Sequence, residues 1–201
     1  MFFEKYKTEE EKLKAINELN SAIECMYNPS LALQLAAVKK YGPDIALIYN
    51  PSLEVQLAAV EQDGYAIEYI HNPSLEVQMR AVKSDGDSIK YIHNPSLEVQ
   101  LEAVKNYPWA ISYIHNPSLK VQLEAVKREP VLISHISEPT EDVQLVAVKK
   151  DVYSIRNIHN PSEKVIRYVI ENYDDIDILQ SMRIDFDKLS DDLKLMLELK
   201  F

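Results

Sequence analysis

The stretch NPSLEVQLAAVEQDGYAIEYIH, residues 50–71, is one copy of a unit that repeats along the chain. Its opening tripeptide Asn-Pro-Ser recurs at a spacing of 22 residues without an insertion, and a degenerate Glu-Pro-Thr fills one gap in the series. The copies begin at Asn28, Asn50, Asn72, Asn94, Asn116, Glu138 and Asn160. Seven copies in one register indicate a repeat architecture. Positions in a copy are numbered 1 to 22 from this first residue.

Hydrophobic spacing predicts a helix over positions 4–12 of each copy. At 100° per residue, Leu53, Leu57 and Val60 lie within about 60° of each other. Val55 and Ala59 widen the apolar arc to about 200°. An arc of this width predicts a helix that packs against neighbours on both sides as well as against its own copy.

Signals for helix starts and stops flank this helix. Serine at position 3 is the expected N-cap, beside a proline that suits a first turn. Gly42, Gly64 and Gly86 occupy position 15, where we expect a left-handed cap residue, and later copies carry Pro108 and Pro130 there. Isoleucine recurs at positions 18 and 21, which predicts a second helix of one or two turns, either α or 3₁₀.

A unit of this size cannot bury its apolar face alone, whereas stacked units share a continuous core. The predicted fold is therefore all-α: a right-handed-type α-solenoid of seven 22-residue two-helix repeats with degenerate helical caps. We expect one continuous domain, with an N-terminal capping repeat over 1–27, the repeats over 28–181 and a C-terminal capping helix within 182–201. Thr8 is the expected cap of the first helix, and the last helix is expected from Ser190 to Leu199.

The composition excludes several classes of protein. The chain has 32 acidic and 22 basic residues, a formal net charge of −10, which argues against direct binding of nucleic acid. No run of 18 apolar residues is present, so no membrane span is expected. Residues 1–5 do not begin a signal peptide's apolar core, and the single cysteine, Cys25, excludes an internal disulfide. We expect a cytoplasmic protein.

Catalytic motifs are not evident in the sequence. The three glycines do not form a phosphate-binding loop. The position-3 serines are helix caps, and the histidines lie about 19 residues further along the same copy, so no catalytic triad is implied. No cluster has the spacing of metal ligands. The prediction is a protein that is not an enzyme and holds neither a cofactor nor a metal.

The consensus NPSLEVQLAAVK followed by AIxYI resembles the short helical repeats found in many phage, prophage and bacterial genes of unknown function. It resembles HEAT-like and leucine-rich-variant repeats more distantly. The resemblance covers residues 28–181 and implies a stacked helical scaffold. It does not imply one activity, because such repeats are general binding scaffolds.

Two polar side chains recur at fixed positions. Glutamine occupies position 7 in six copies and lies inside the apolar arc, where its amide needs hydrogen-bond partners. These amides either bond nearby loop backbone or form a ligand-binding ladder. Histidine occupies position 22 in four copies, at His71, His93, His115 and His159. These histidines either bond locally at a helix end or form a binding stripe.

Aromatic residues point to two candidate contact surfaces. Tyr69, Tyr91 and Tyr113 share position 20, beside the histidines, and form either a packed row or a tyrosine and histidine edge. Positions 13–17 and 19 vary between copies, and such turns often bind partners in solenoids. The large apolar residues at these positions either form a contact surface or result from neutral drift at unconstrained loop sites. They are Tyr41, Tyr65, Tyr107, Trp109, Val131, Leu132 and Tyr153.

Acidic residues concentrate at the C-terminal end. Residues 171–201 contain nine acids and four bases. They form either a solvated end cap or a row of carboxylates that occupies a basic groove in place of phosphates. The residues of this second interpretation are Asp174, Asp175, Asp177, Asp185 and Asp187.

The sequence thus predicts a non-catalytic protein–protein interaction scaffold. Its expected partner-binding residues are Tyr65, Tyr69, His71, Tyr91, His93, Trp109, Tyr113, His115 and Tyr153. The alternative is an acidic, phage-encoded inhibitor of a host nucleic-acid-targeting defence enzyme, of anti-CRISPR or anti-restriction type, which occludes the enzyme's nucleic-acid groove. In both cases the expected partner is a protein, and in the second it is a nucleic-acid-binding enzyme.

Overall fold

The structure is a computed structural model that describes residues 6–200, so the expectation for residues 1–5 lies outside it. Residues 6–200 form helices and turns, with no β-strand among them. The chain divides into two compact units, unit 1 up to Tyr113 and unit 2 from Ile114. The all-helical class predicted from the sequence is confirmed.

Unit 1 alternates α-helices with short 3₁₀-helices. Its α-helices are α1 (Glu9–Glu18), α2 (Leu31–Lys40), α3 (Leu53–Gln62), α4 (Leu75–Ser84) and α5 (Leu97–Asn106). Its 3₁₀-helices are η1 (Ala22–Cys25), η2 (Gly42–Leu47), η3 (Gly64–Tyr69), η4 (Gly86–Tyr91) and η5 (Pro108–Tyr113). Each α-helix packs against the next one along the chain, and so does each 3₁₀-helix. The second short helix of each copy is confirmed.

Unit 2 continues the same alternation and then departs from it. Its elements are α6 (Leu119–Arg128), η6 (Pro130–His135), α7 (Glu141–Lys150), η7 (Val152–Asn157), α8 (Glu163–Asn172), α9 (Ile176–Ser181), η8 (Phe186–Lys188) and α10 (Asp191–Glu198). Helix α6 packs on α7 and α7 on α8, while α9 packs on η7 and α10 on α8. The predicted C-terminal helix is confirmed, with Ser190 as its N-cap.

Serine caps begin the helices as predicted. In five copies the serine hydroxyl accepts a hydrogen bond from the backbone amide three residues later, at 3.3–3.4 Å. In α1, the Thr8 hydroxyl accepts a hydrogen bond from the Glu11 amide, and the Glu11 carboxylate accepts one from the Thr8 amide. Each bond satisfies an amide that the helix itself leaves without a partner.

In six of the seven copies the left-handed residue is the asparagine at position 1, so the prediction that placed it at glycine is wrong. The asparagines at position 1 have φ between 46° and 54°, a region that asparagine tolerates better than most side chains. In three copies glycine occupies position 15 because a side chain there would collide with the next copy. A Cβ on Gly42 would come within 2.5 Å of the Ala59 carbonyl oxygen, and one on Gly64 within 2.7 Å of the Ala81 oxygen.

The buried core runs through positions 6, 10, 11, 18 and 21 of the copies. In the copy that begins at Asn50 these are Val55, Ala59, Val60, Ile67 and Ile70, all buried. Position 4 was expected in this core, but Leu53 is 47% exposed, and Leu31, Leu75, Leu97 and Leu119 are exposed as well. These leucines start their helices, and a helical side chain points back over the preceding turn, which is absent at a first residue.

Neighbouring copies are joined by side chains at position 13. The ammonium of Lys40 donates to the carbonyl oxygens of Ile16, Asn17 and Leu19, at the end of α1. Asn106 donates to the Lys83 carbonyl in α4 at 2.7 Å. In unit 2, Lys150 donates to carbonyl oxygens at the end of α6. These bonds satisfy helix C-termini with side chains from the following copy.

Candidate functional site

The glutamines at position 7 have a structural role. Each side-chain amide donates to the carbonyl of the proline at position 2 of its own copy, at 2.8–3.0 Å. This confirms the interpretation that the glutamines bond nearby loop backbone. The bond fixes the Asn-Pro turn against the helix, and this turn forms one side of a groove between copies.

Two such grooves lie side by side in unit 1. Groove A has a volume of about 420 Å³ and is lined by residues 46–51, Gln56 and residues 69–71. Groove B has a volume of about 370 Å³ and is lined by the corresponding residues one copy later, among them Asn72, Gln78 and Tyr91. The two grooves share Ile70 and His71, so they form one continuous surface with a repeated shape.

The predicted tyrosine and histidine edge lines these grooves. Tyr69 and His71 line groove A, whereas His71, Tyr91 and His93 line groove B. Tyr69 is 50% exposed and both histidines are exposed. The structure therefore brings four of the nine predicted partner-binding residues onto one surface.

Tyr49 is a candidate that sequence reasoning missed. It lines groove A and is 98% exposed. Its ring is therefore open to a segment that enters groove A. The sequence contains a signal for it, because Tyr49 occupies position 22, where four later copies carry histidine, but a pattern of recurring residue types does not include this tyrosine.

Tyr65, a fifth predicted residue, belongs to a cluster that borders groove B. Its hydroxyl donates a hydrogen bond to the Asp87 carboxylate. Its ring meets the Tyr91 ring edge-on, with 6.1 Å between the ring centroids. The Lys90 ammonium lies 4.5 Å from the Tyr65 centroid and 5.0 Å from that of Tyr91. These contacts hold Tyr91 in place as a wall of groove B.

The Asp87 carboxylate also alters the chemistry of Tyr65. The hydrogen bond to Asp87, together with partial burial and the nearby negative charge, raises the pKa of the Tyr65 phenol above its usual range. The phenol therefore remains a protonated donor at any physiological pH. The cluster is a polar contact between two copies, in which both tyrosines are partly exposed and the Lys90 ammonium lies over their rings.

The other predicted residues lie away from grooves A and B. Trp109 and Tyr113 belong to η5 of unit 1 and are 41% and 49% exposed. His115 and Tyr153 belong to unit 2 and are exposed. Leu132, expected on the variable turns, is instead fully buried, because position 17 points into the core as Ala66 and Ala110 do at the same position.

Tyr153 repeats part of the Tyr65 arrangement in unit 2. Its hydroxyl lies 3.5 Å from an Asp175 carboxylate oxygen, and the Arg156 guanidinium lies 4.9 Å from its ring centroid. Residues at position 16 thus pair with position 16 of the next copy in both units. This pairing gives Tyr65 and Tyr153 a structural role, whatever else they contact.

Unit 2 contains a groove with the same backbone but different edges. Groove C has a volume of about 400 Å³ and is lined by Asn116, Pro117, Gln122, Ile136, Ser137 and Glu138. Serine stands at position 22, where grooves A and B carry tyrosine or histidine. None of the described residues that line groove C is aromatic. Groove C therefore serves as an internal control for the tyrosine and histidine edge.

Some of the acidic residues predicted to occupy a basic groove make local bonds, and others are exposed to solvent. Asp174 pairs with Lys200, and Asp185 lies 2.7 Å from the Lys188 ammonium, which lowers the pKa of the Asp185 carboxyl. Asp175 accepts amide hydrogen bonds at the start of α9. Asp177 and Asp187 are exposed, and both can meet a partner.

In residues 6–200, no three His, Cys, Asp or Glu side chains lie together as metal ligands would. None of the helices in this part of the chain has the length and apolar composition to cross a bilayer. Comparison of the chain with protein-family models, curated proteins and solved structures finds no match.

Proposed function

We propose that the chain is a non-catalytic scaffold that binds a protein partner through grooves A and B of unit 1. The observation that carries this proposal is the repetition of one groove, in register, with tyrosine and histidine along its edge. Tyrosines account for much of the binding energy at protein interfaces, because a large ring is buried at little cost in conformational entropy. Open grooves of this kind fit a chain segment better than an enclosed small molecule.

We further infer that both units are built as an α-solenoid of 22-residue two-helix repeats, right-handed in type. The sequential packing of α-helices within each unit supports this architecture. Repeat scaffolds of this kind present a binding surface that extends over several copies. Grooves A and B are such a surface, spread over the copies that begin at Asn28, Asn50 and Asn72.

Site-specific photo-crosslinking tests the proposed function. A benzophenone amino acid is introduced at Tyr69 in groove A and, as a matched control, at Tyr153 in unit 2, both about half exposed. After irradiation in lysate of the source cells, we expect a discrete crosslinked protein from position 69 and not from position 153. Competition by the unlabelled chain should abolish the product, and competition by the Tyr49→Ser/Tyr69→Ser chain should not.

Other outcomes contradict the proposal. The same product from both positions would show that groove A is not the binding surface. A product that is lost on Asp177→Asn/Asp187→Asn, and that survives the tyrosine substitutions, would favour the acidic inhibitor. Far-ultraviolet circular dichroism of each variant checks that its helices are retained.

A further inference from the structure

We propose that the segment bound in grooves A and B is a proline-rich chain in the polyproline II conformation. This inference rests on the proposed function and names the chemical class of the partner. It follows from the spacing of the grooves, from the groups along their edges and from the charge of their lining.

The spacing of the grooves selects a ligand with a three-residue period. Grooves A and B are one copy apart, and α2, α3 and α4 pack side by side. Packed helices lie about 8–10 Å apart. A polyproline II helix has three residues per turn and rises about 3.1 Å per residue, so it presents the same face about every 9 Å. A β-strand presents the same face at every second residue, about 6.6 Å apart, and falls out of step with the grooves.

The groups along the edges match the needs of a polyproline II chain. Such a chain has no internal hydrogen bonds, so its carbonyl oxygens require donors. In the described part of the chain, the side chains of Tyr69, His71 and Asn72 have no hydrogen-bond partner, and all three residues line the grooves. Tyrosine rings also offer flat faces on which proline rings pack, as in known grooves for proline-rich peptides.

The lining of the grooves favours an uncharged ligand. Of the described residues that line grooves A and B, Glu68 alone carries a formal charge at neutral pH. A strongly charged segment would leave its charges without partners there. A proline-rich segment is also largely ordered before it binds, so it loses little conformational entropy on the surface.

Groove C provides the contrast within the same chain. It retains the Asn-Pro turn, the glutamine bond and the isoleucine, but its edge carries Ser137 and Glu138. It offers no aromatic face among its described lining residues. We therefore expect groove C to bind the proline-rich chain at least tenfold more weakly than grooves A and B.

Fluorescence anisotropy with defined peptides tests the inference on the full chain. The probe is a fluorescein-labelled peptide of four Pro-Pro-Gln triplets, and the control peptide has four Gly-Ser-Gln triplets. We expect saturable binding of the proline peptide and at least tenfold weaker binding of the control. Peptides of one, two and four triplets should show a steep gain from one triplet to two, because the second triplet reaches the second groove.

Matched variants locate the site. Tyr69→Ser should weaken binding of the proline peptide at least tenfold, whereas Tyr153→Ser in unit 2 should leave it unchanged. Tyr69→Phe keeps the ring and removes the hydroxyl, so its loss should fall between these two. Fluorescence of Trp109, the single tryptophan of the chain, confirms that unit 1 stays folded in each variant.

Three results would overturn the inference. Equal binding of the two peptides would show that proline and its conformation are not recognised. Unchanged binding by Tyr69→Ser would place the peptide elsewhere. A crosslinked protein partner at position 69 without binding of the proline peptide would leave the scaffold proposal standing and refute the polyproline class.

Discussion

Groove B of unit 1 and groove C of unit 2 share a backbone and differ at their edges. Both contain an Asn-Pro turn, a glutamine that donates to the proline carbonyl, and a buried isoleucine. Groove B adds Tyr91 and His93, whereas groove C carries Ser137 and Glu138. The comparison separates residues that build a copy from residues that are free to serve binding. Position 7 belongs to the first group, and positions 20 and 22 belong to the second.

Position 15 is glycine in the first three copies of unit 1 and proline or valine in the copies that begin at Asn94, Asn116 and Glu138, and it carries the largest effect that we predict. Gly64→Ala should lower the free energy of unfolding of unit 1 by about 1–3 kcal/mol, the usual cost of overpacking. The added Cβ would lie 2.7 Å from the Ala81 carbonyl oxygen and 2.8 Å from the Asp85 carboxylate. Urea unfolding followed by Trp109 fluorescence measures this loss.

Unit 2 supplies the control for that substitution. It carries Pro130 and Val152 at position 15, so its copies already accommodate a Cβ. Pro130→Ala should therefore change stability by less than about 1 kcal/mol, mostly through the unfolded chain. A Gly64→Ala chain with an unchanged unfolding midpoint would contradict the steric explanation.

Substitution of an asparagine with left-handed backbone conformation gives the next largest loss of stability. Asn72→Ala should cost about 1–2 kcal/mol, because alanine resists the backbone conformation at φ 49°. Asn72→Gly should keep the free energy of unfolding within about 0.5 kcal/mol of that of the natural chain, since glycine adopts this conformation freely. Thermal unfolding of the two variants measures the difference.

Glu138 in unit 2 is the control for the substitution of Asn72. It occupies position 1, yet it is not among the described residues with positive φ. Glu138→Ala should therefore alter stability by no more than about 0.5 kcal/mol. A loss as large as that of Asn72→Ala would show that side-chain contacts, and not backbone conformation, account for position 1.

The two tyrosine–aspartate pairs give the smallest effect. Tyr65→Phe should cost about 0.5–1.5 kcal/mol, the value of one hydrogen bond, and Tyr153→Phe less, because its hydroxyl is 3.5 Å from Asp175. The raised pKa of Tyr65 means that this stabilisation is complete below the ordinary tyrosine pKa and is lost as the pH rises through the raised value. Spectroscopic titration should show two late-ionising tyrosines, because burial also raises the pKa of the Tyr173 phenol, and only one of them should remain in Tyr65→Phe. Identical titration curves would contradict the pairing.

Local chemistry made much of the fold predictable. The serine caps, the isoleucines of the short helices and the glutamine bonds all depend on residues within one copy, so a single copy specifies them. The sequence did not reveal that Asn72, and not Gly64, has the left-handed backbone conformation, because both residue types tolerate it. The choice depends on the distance to Ala81 in the next copy, which no local pattern contains.

The candidate site was predictable where it repeats and hidden where it does not. Tyr69, Tyr91, His71 and His93 were found because they recur at fixed positions. Tyr49 was missed because it is an exception at its position, although it is the most exposed of the tyrosines that line groove A. The exposure of Leu53 was missed because a helical wheel treats the first residue of a helix as if a turn preceded it.

The bonds that Lys40, Asn106 and Lys150 make to the preceding copy have a consequence for synthesis on the ribosome. Helix α1 ends before residue 20, yet the carbonyl oxygens of Ile16, Asn17 and Leu19 accept hydrogen bonds from Lys40, 21–24 residues further along the chain. During translation, α1, α4 and α6 therefore lack these C-terminal bonds until the following copy has been made. The ends of these three helices are completed in the order in which the chain is translated.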